Sequence, residues 1–203
     1  MSESVVVPGG RDVRGTLDAP TADACVVACP PHPQMGGKRT DRRLQAVSDA
    51  LAPDVSTLRF DYGAWDEGYG EVVDARNALR WARDRFDTVG LFGYSFGGCI
   101  AILAAATESD EDAPPAVVAV LAPVSRLADD LDAAARLDAV RAPGYVCYGE
   151  RDTTADWESV VGRARDCDWT VESLRTDHHF VGRTAAVGES CGGFLQSALD
   201  DPS

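Results

Sequence analysis

The feature that most constrains this chain is the motif Gly-Tyr-Ser-Phe-Gly at residues 93–97, which lies between an apolar run and an Ala-rich stretch. The apolar run 88–92 predicts a strand, and residues 96–106 predict a helix. In such a strand–turn–helix context, the serine of a Gly-x-Ser-x-Gly motif lies on a sharp, strained turn above the sheet. Glycine is expected at positions 93 and 97, because the turn leaves no room for larger residues. The motif therefore predicts an exposed nucleophilic serine, Ser95.

Strands and helices alternate along the rest of the chain. Continuous apolar runs predict buried strands, and apolar residues at helical spacing predict helices. The alternation predicts an α/β layered sandwich with a mostly parallel sheet, and the first two strands predict an antiparallel edge hairpin. The length of 203 residues predicts one domain, 1–203, with little room for a lid. The predicted strands are 5–7, 13–17, 24–29, 55–60, 88–92, 116–121, 144–148 and 170–174; the predicted helices are 40–51, 71–85, 96–106, 126–139, 156–165 and a weaker one ending near 199.

The charge balance is strongly acidic. The formal net charge is −14, and Lys38 is the only lysine. Because the acidic residues are scattered along the chain, they favour adaptation of the whole surface to high salt, where self-repulsion is screened. The same charge argues against nucleic acid or anionic membranes as partners. No apolar stretch reaches the length of a membrane span and no signal peptide is visible, so we expect a cytoplasmic protein.

An activated serine needs a base within hydrogen-bond reach, and the base needs an acid that orients it. The chain has three histidines, of which His178 and His179 follow the last predicted strand and His32 follows an early one. Asp152 follows the strand 144–148 in a Gly-x-x-Asp turn. The competing acids are Asp129, Asp130 and Asp132, which follow the preceding strand. The order serine, aspartate, histidine along the chain predicts a triad of Ser95, Asp152 and either His178 or His179.

Four further segments carry a resemblance to a known family. Residues 31–37 are similar to its HPxxGG loop, and residues 59–74 to R-F-N-F-R-G followed by G-E-x-x-D. Residues 148–152 are similar to its G-x-x-D turn, and residues 177–182 to D-H-F-F-x-G. Over nearly its whole length the chain resembles small α/β-hydrolases of the dienelactone-hydrolase-like, serine-esterase type. The resemblance implies a three-layer α/β-hydrolase fold with an antiparallel N-terminal edge and minimal or no lid.

The resemblance also bears on the site. It selects His178 as the base and places His179 where the family has an aromatic residue. Dienelactone hydrolases carry cysteine as the nucleophile, whereas this chain has Ser95. The Tyr62-Gly63 loop also lacks the arginine of the family's R-F-N-F-R-G segment. The chain is therefore expected to hydrolyse small esters through an acyl-enzyme. Thioesterase, peptidase or acyltransferase activity with the same triad is an alternative, as is a binding protein that has lost the chemistry.

The remaining candidate residues surround this triad. The backbone N–H of Phe96 is expected to donate to the oxyanion, because it follows the serine and begins a helix. The second donor is expected from the loop after residue 30, at Gln34 or Met35, since proline has no N–H. Candidate substrate-pocket residues are His32, Tyr62, Trp65, Tyr94 and His179. The six cysteines show no zinc-ligand spacing, so neither a metal nor a cofactor is expected, and the chain is expected to be a monomer or a homodimer.

Overall fold

The computed structural model describes residues 1–201, which form an eight-stranded sheet flanked by helices. The strands are β1 Ser2–Val7, β2 Val13–Asp18, β3 Ala24–Cys29, β4 Val55–Asp61, β5 Thr88–Tyr94, β6 Val118–Leu121, β7 Arg126–Ala128, β8 Leu131–Asp132, β9 Gly144–Gly149 and β10 Thr170–Leu174. The strand order in the sheet is β1-β2-β4-β3-β5-β6-β9-β10; β1/β2 and β2/β4 pair antiparallel, and the other neighbours pair parallel. The predicted mostly parallel sheet with an antiparallel N-terminal edge is confirmed.

The helices cover both faces of this sheet. They are α1 Arg42–Leu51, α2 Tyr69–Arg83, α3 Phe96–Asp110, α4 Ala133–Arg136, α5 Glu158–Asp166, α6 Thr184–Val187 and α7 Gly193–Asp200. A single turn of π-helix, Gly188–Gly192, joins α6 to α7. Side chains of β3 alternate between two cores, as the period of two along a strand requires. Cys25 and Val27 pack with α2 to α5, whereas Val26 and Ala28 pack with α1, α6 and α7.

The predicted helix over 126–139 is wrong in its first half. Residues 126–132 form the small antiparallel hairpin β7–β8, and a helix begins only at Ala133. Asp132 caps that short helix, because its carboxylate accepts a hydrogen bond from the N–H of Ala135 at 2.9 Å. Aspartate competes with the backbone for hydrogen bonds, which favours caps and turns over helix interiors. The hairpin lies beside the elbow, which is the turn at residues 93–97 that carries Ser95. No helix within residues 1–201 is long and apolar enough to cross a membrane.

Candidate active site

Ser95 occupies a strained turn between β5 and α3. Its φ of 56° and ψ of −119° are uncommon for a residue with a side chain. The surroundings hold this conformation: the N–H of Ser95 donates to the carbonyl of Leu121 at 2.9 Å, and the carbonyl of Ser95 accepts from the N–H of Val124 at 3.2 Å. Strain that neighbours maintain in this way is typical of functional positions.

The glycines on either side of Ser95 meet steric demands. A Cβ at Gly93 would lie 2.1 Å from the carbonyl oxygen of Gly97, and a Cβ at Gly97 would lie 2.2 Å from the carbonyl oxygen of Cys29. Any side chain at either position would therefore collide with backbone that cannot move away. The close approach at Gly97 also brings the end of β3, and the loop that follows it, against the elbow.

Three side chains form a continuous hydrogen-bonded chain that begins at Ser95. Its Oγ lies 2.9 Å from Nε2 of His178, and Nδ1 of His178 lies 2.7 Å from Oδ2 of Asp152. Both His178 and Asp152 are buried. A neutral imidazole that donates from Nδ1 to the carboxylate leaves Nε2 free to accept the serine proton. The arrangement can therefore remove a proton from Ser95 and hold it on an oriented imidazolium.

Asp152 is fixed by its own backbone surroundings. Its other carboxylate oxygen, Oδ1, accepts from the N–H groups of Thr154 and Ala155 at 2.8 and 3.1 Å. Both oxygens of Asp152 are thus hydrogen-bonded, and these contacts orient Oδ2 towards His178.

The alternative acids lie elsewhere. Asp129 pairs with Arg126, Asp130 accepts from the hydroxyl of Tyr69, and Asp132 caps a helix. His179 has its ring centroid 5.4 Å from that of His178, edge-on to it, and lines the adjacent cavity.

Tyr94, the residue before the serine, contacts the histidine that faces the serine. Its hydroxyl donates to the carbonyl of His178 at 3.0 Å, and the two ring centroids are 5.5 Å apart. Burial raises the pKa of Tyr94 to about 12, so the phenol keeps its proton and remains a donor.

Arg43 lies over the ring of Tyr94, with its guanidinium carbon 4.6 Å from the ring centroid. It also donates to the carbonyl of His179 at 3.2 Å and pairs with Asp41 at 2.5 Å. Sequence reasoning missed Arg43, because its position at the start of α1 carries no pattern that relates it to the motifs.

A cavity of about 430 Å³ opens above Ser95 and His178. The Asp41–Arg43 pair lies at its edge, and no other Asp, Glu, Lys or Arg lines it among residues 1–201. Most of the remaining wall is apolar, so the cavity suits an uncharged organic group. The apolar residues are Pro31, Met35, Phe96, Val124, Leu127 and Ala155.

Solved structures share this architecture. The chain is 21% identical to an α/β serine hydrolase without a lid from Xanthomonas campestris, with a TM-score of 0.80 over 100% of this chain and 97% of that one. It is 17% identical to Est1E from Butyrivibrio proteoclasticus, with a TM-score of 0.82 over 98% and 99% of the two chains. It is 22% identical to a dienelactone hydrolase from Anabaena variabilis, with a TM-score of 0.75 over 98% of each chain.

The fold is that of the α/β-hydrolases. Models of protein families give no match to the sequence, and curated proteins give none either. At these levels of identity the similarity identifies the fold, and the chemistry has to be argued from the site itself.

The loop that follows β3 of this α/β-hydrolase fold differs from the sequence expectation. The N–H of Met35 donates to the carbonyl of His32 at 3.0 Å, so it points back into its own turn, and its side chain is exposed. Gln34 is exposed and does not line the cavity. The turn is a short 3₁₀ helix, Pro33–Met35, whose internal hydrogen bonds use one of the two expected donors, the N–H of Met35. The N–H of Met35 is thus engaged within the turn, and Gln34 is not among the residues that line the cavity.

The aromatic candidates divide into two groups. Tyr62 is buried beneath the cavity, where its hydroxyl donates to the carbonyl of Pro30 at 3.2 Å, and it is not among the residues that line the cavity. Its role is to support the loop after β3. Trp65 lines a second groove that adjoins the cavity, whereas His32, Tyr94 and His179 line the cavity itself.

Two buried carboxylates hold the loop that carries Trp65. Glu71 accepts from the N–H groups of Asp66 and Gly68 at 3.1 and 2.8 Å, and Asp74 accepts from the N–H of Gly63 at 2.9 Å. Burial raises the pKa of Asp74 despite that bond and one from an arginine. The G-E-x-x-D segment is therefore structural. In the described part of the chain, no cluster of three or more His, Cys, Asp or Glu side chains could hold a metal ion.

Proposed function

We propose that this chain is a serine hydrolase that cleaves esters through an acyl-enzyme, and that the acyl group of these esters carries no charge. The observation that carries the proposal is the hydrogen-bonded chain from Ser95 Oγ through His178 to Asp152. It begins at a strained turn and opens into an apolar cavity, which is the arrangement that nucleophilic acyl transfer requires.

The reaction follows from this geometry. His178 Nε2 takes the proton of Ser95 as Oγ attacks the ester carbonyl carbon, and Asp152 stabilises the imidazolium that forms. The tetrahedral intermediate then expels the alcohol, which receives its proton from His178. A water molecule, deprotonated by the same nitrogen, attacks the acyl-enzyme and releases the acid.

The oxyanion needs two donors beside Ser95. The N–H of Phe96 is the first donor of α3 and has no acceptor within its own helix, so it is available. For the second, Pro30, Pro31 and Pro33 have no N–H. The N–H of His32 makes no hydrogen bond to any residue in 1–201, and His32 lines the cavity. We therefore assign the second donor to His32, in place of Gln34 or Met35.

The direct test is hydrolysis of p-nitrophenyl acetate and butyrate by the wild type and by Ser95→Ala in molar KCl. Wild-type turnover and its loss in Ser95→Ala are expected, together with covalent labelling of Ser95 by a fluorophosphonate. Equal turnover in the variant would contradict the proposal, and an unlabelled Ser95 in folded protein would favour a binding protein. Thioesters, peptides and alcohol acceptors in the same assay separate the alternative acyl-transfer activities.

A further inference from the structure

A groove of about 260 Å³ extends the catalytic cavity on one side. His32, Phe96 and Leu127 line both spaces, so a substrate can occupy the two at once. Trp65, Glu67, Tyr69 and Ala128 form the rest of the wall of the groove. The proposed reaction uses the cavity and leaves this second space without a role.

The walls of the groove are mainly aromatic. The His32 ring has its centroid 4.7 Å from that of Trp65 and 4.9 Å from that of Phe96, with interplanar angles of 31° and 52°. The Trp65 and Phe96 centroids are 5.7 Å apart. An aromatic guest interacts with walls made of aromatic rings more favourably than a saturated group of equal size does.

The groove is preformed by contacts on both of its sides. The hydroxyl of Tyr69 donates to Asp130 at 2.7 Å, which ties α2 to the hairpin β7–β8. Gly68, at φ 104°, lies so close to this hairpin that a Cβ there would be 2.9 Å from side-chain carbons of both Leu127 and Leu131. A site that needs no rearrangement loses less binding free energy to ordering.

Charge restricts the guest further. Glu67 is the charged side chain at this groove, and no Lys or Arg among residues 1–201 lines it. A substrate carboxylate would meet repulsion from Glu67 without a cation to pair with, and the net charge of −14 adds to that repulsion. An uncharged ring is therefore favoured over an aromatic acid.

The position of the groove indicates which half of the ester it receives. The leaving alcohol takes its proton from His178, so it must depart next to that side chain. Neither His178 nor Ser95 lines the groove, which instead lies beyond Phe96 and His32. The part of the substrate that remains on the serine, the acyl group, is the one that can reach it.

We propose that this groove is an aryl subsite, which binds an uncharged aromatic ring carried by the acyl group of the ester. The inference rests on the proposed hydrolase function and specifies its substrate class: esters of aryl-substituted alkanoic acids. Trp65 is the residue that determines the preference.

The test compares three p-nitrophenyl esters, so that the leaving group is constant: acetate, 3-phenylpropanoate and 3-cyclohexylpropanoate. We expect the wild type to favour the phenyl over the cyclohexyl ester in kcat/KM by about 3- to 10-fold. Trp65→Leu should reduce this ratio to about 1, and Trp65→Phe should keep an intermediate ratio. The matched control is Trp81→Leu in α2, where the indole is buried beneath Arg85 and lines neither the cavity nor the groove, and it should keep the wild-type ratio.

If the enzyme hydrolyses the acetate, the hydrolase function stands. A phenyl-to-cyclohexyl ratio near 1 in the wild type, or one that Trp65→Leu leaves unchanged, would then overturn the subsite. Loss of acetate hydrolysis would contradict the function instead. A binding measurement then still decides on the groove: in Ser95→Ala, 3-phenylpropanamide should shift the indole N–H resonance of Trp65 and 3-cyclohexylpropanamide should shift it less. An unmoved Trp65 resonance at saturating amide would overturn the inference.

Discussion

The hydroxyl of Tyr94 donates to the carbonyl of His178, so the residue next to the serine holds the backbone of the histidine that faces it. Arg43 extends this contact, since its guanidinium lies over the Tyr94 ring and also donates to the carbonyl of His179. Two successive carbonyls of the turn after β10 are thus anchored to β5 and α1. Ser95 and His178 are 83 positions apart in the chain, and this anchoring helps to hold their side chains at 2.9 Å.

Tyr94→Phe removes one hydrogen bond and keeps the ring. We expect kcat to fall about 5- to 10-fold with little change in KM, because a hydrogen bond worth about 1 kcal/mol no longer orients His178. Steady-state kinetics on p-nitrophenyl butyrate provide the measurement. Tyr145→Phe is the matched control, since the hydroxyl of Tyr145 donates to Glu172, neither of which lines the cavity. A raised KM at constant kcat would mean that Tyr94 acts on substrate binding instead.

Asp152→Asn tests the orientation of the base. The amide keeps the shape of the side chain, and its oxygen can still accept from Thr154 and Ala155. Its NH₂ group would then face Nδ1 and favour the imidazole tautomer that carries the proton on Nε2, which cannot accept from Ser95. We expect kcat to fall about 10³- to 10⁴-fold with a small change in melting temperature. Activity within tenfold of the wild type would show that another group supplies the acid.

Several parts of the fold follow from local sequence and others do not. The run Ala24–Cys29 is apolar at every position, and the structure places it in the middle of the sheet, with neighbours on both sides. The segment 126–132 has apolar residues at helical spacing, yet it forms a hairpin. Leu127 and Leu131 pack against Gly68 there, and tertiary contacts of this kind override helical propensity.

In the site, too, some features could be predicted from the sequence and others could not. Each of Ser95, Asp152 and His178 follows a strand of one parallel sheet, so their meeting could be predicted. Their catalytic roles stay predictions. The orientation of the loop after β3 could not be predicted, because it depends on which N–H groups donate hydrogen bonds within its 3₁₀ turn. The contact of Arg43 with Tyr94 could not be predicted either, because only tertiary packing brings α1 beside Tyr94.

Gly97→Ala is expected to damage the elbow. The added methyl would lie 2.2 Å from the backbone oxygen of Cys29, so either β3 or the turn must shift. We expect a loss of about 2–4 kcal/mol in the free energy of unfolding, which corresponds to overpacking against rigid backbone. Gly162→Ala in α5 is the same substitution where a Cβ meets nothing within 4 Å, and it should stabilise the protein by about 0.5–1 kcal/mol. Urea denaturation measures both, and equal effects would contradict the steric argument.

The buried carboxylate of Glu108 should make stability depend on acid pH. Burial alone would raise its pKa, but hydrogen bonds from Arg76 and Arg83 outweigh burial, so the pKa of Glu108 is lowered from 4.5. A lowered pKa means that the stabilisation is complete above pH 4.5 and is lost as the pH falls through the folded-state value. Glu108→Gln should therefore unfold with less dependence on pH below 4.5 than the wild type.

At pH 7 the same variant should lose about 2–3 kcal/mol of unfolding free energy. This is below the ~3–5 kcal/mol of a fully buried pair, because the arginine partners are partly exposed and solvent screens them. Glu111→Gln is the control: its carboxylate pairs with Arg76 but is half exposed, so about 0.5 kcal/mol is expected. Equal losses in the two variants would show that burial of Glu108 is unimportant.

The net charge of −14 should make stability rise with salt. Two effects oppose each other, since salt screens both the attraction within ion pairs and the repulsion among unpaired acidic groups. Exposed pairs contribute only about 0–1 kcal/mol each, whereas 33 acidic residues against 19 basic ones leave a uniform excess of negative charge. Screening of the repulsion should therefore have the larger effect on stability. Raising KCl from 0.1 to 1 M shortens the screening length from about 10 to 3 Å, and we expect the melting temperature to rise steeply over that interval. A melting temperature that is flat or falls would mean that the ion pairs, such as those of Arg76 and Arg83 with Glu108, dominate the electrostatics.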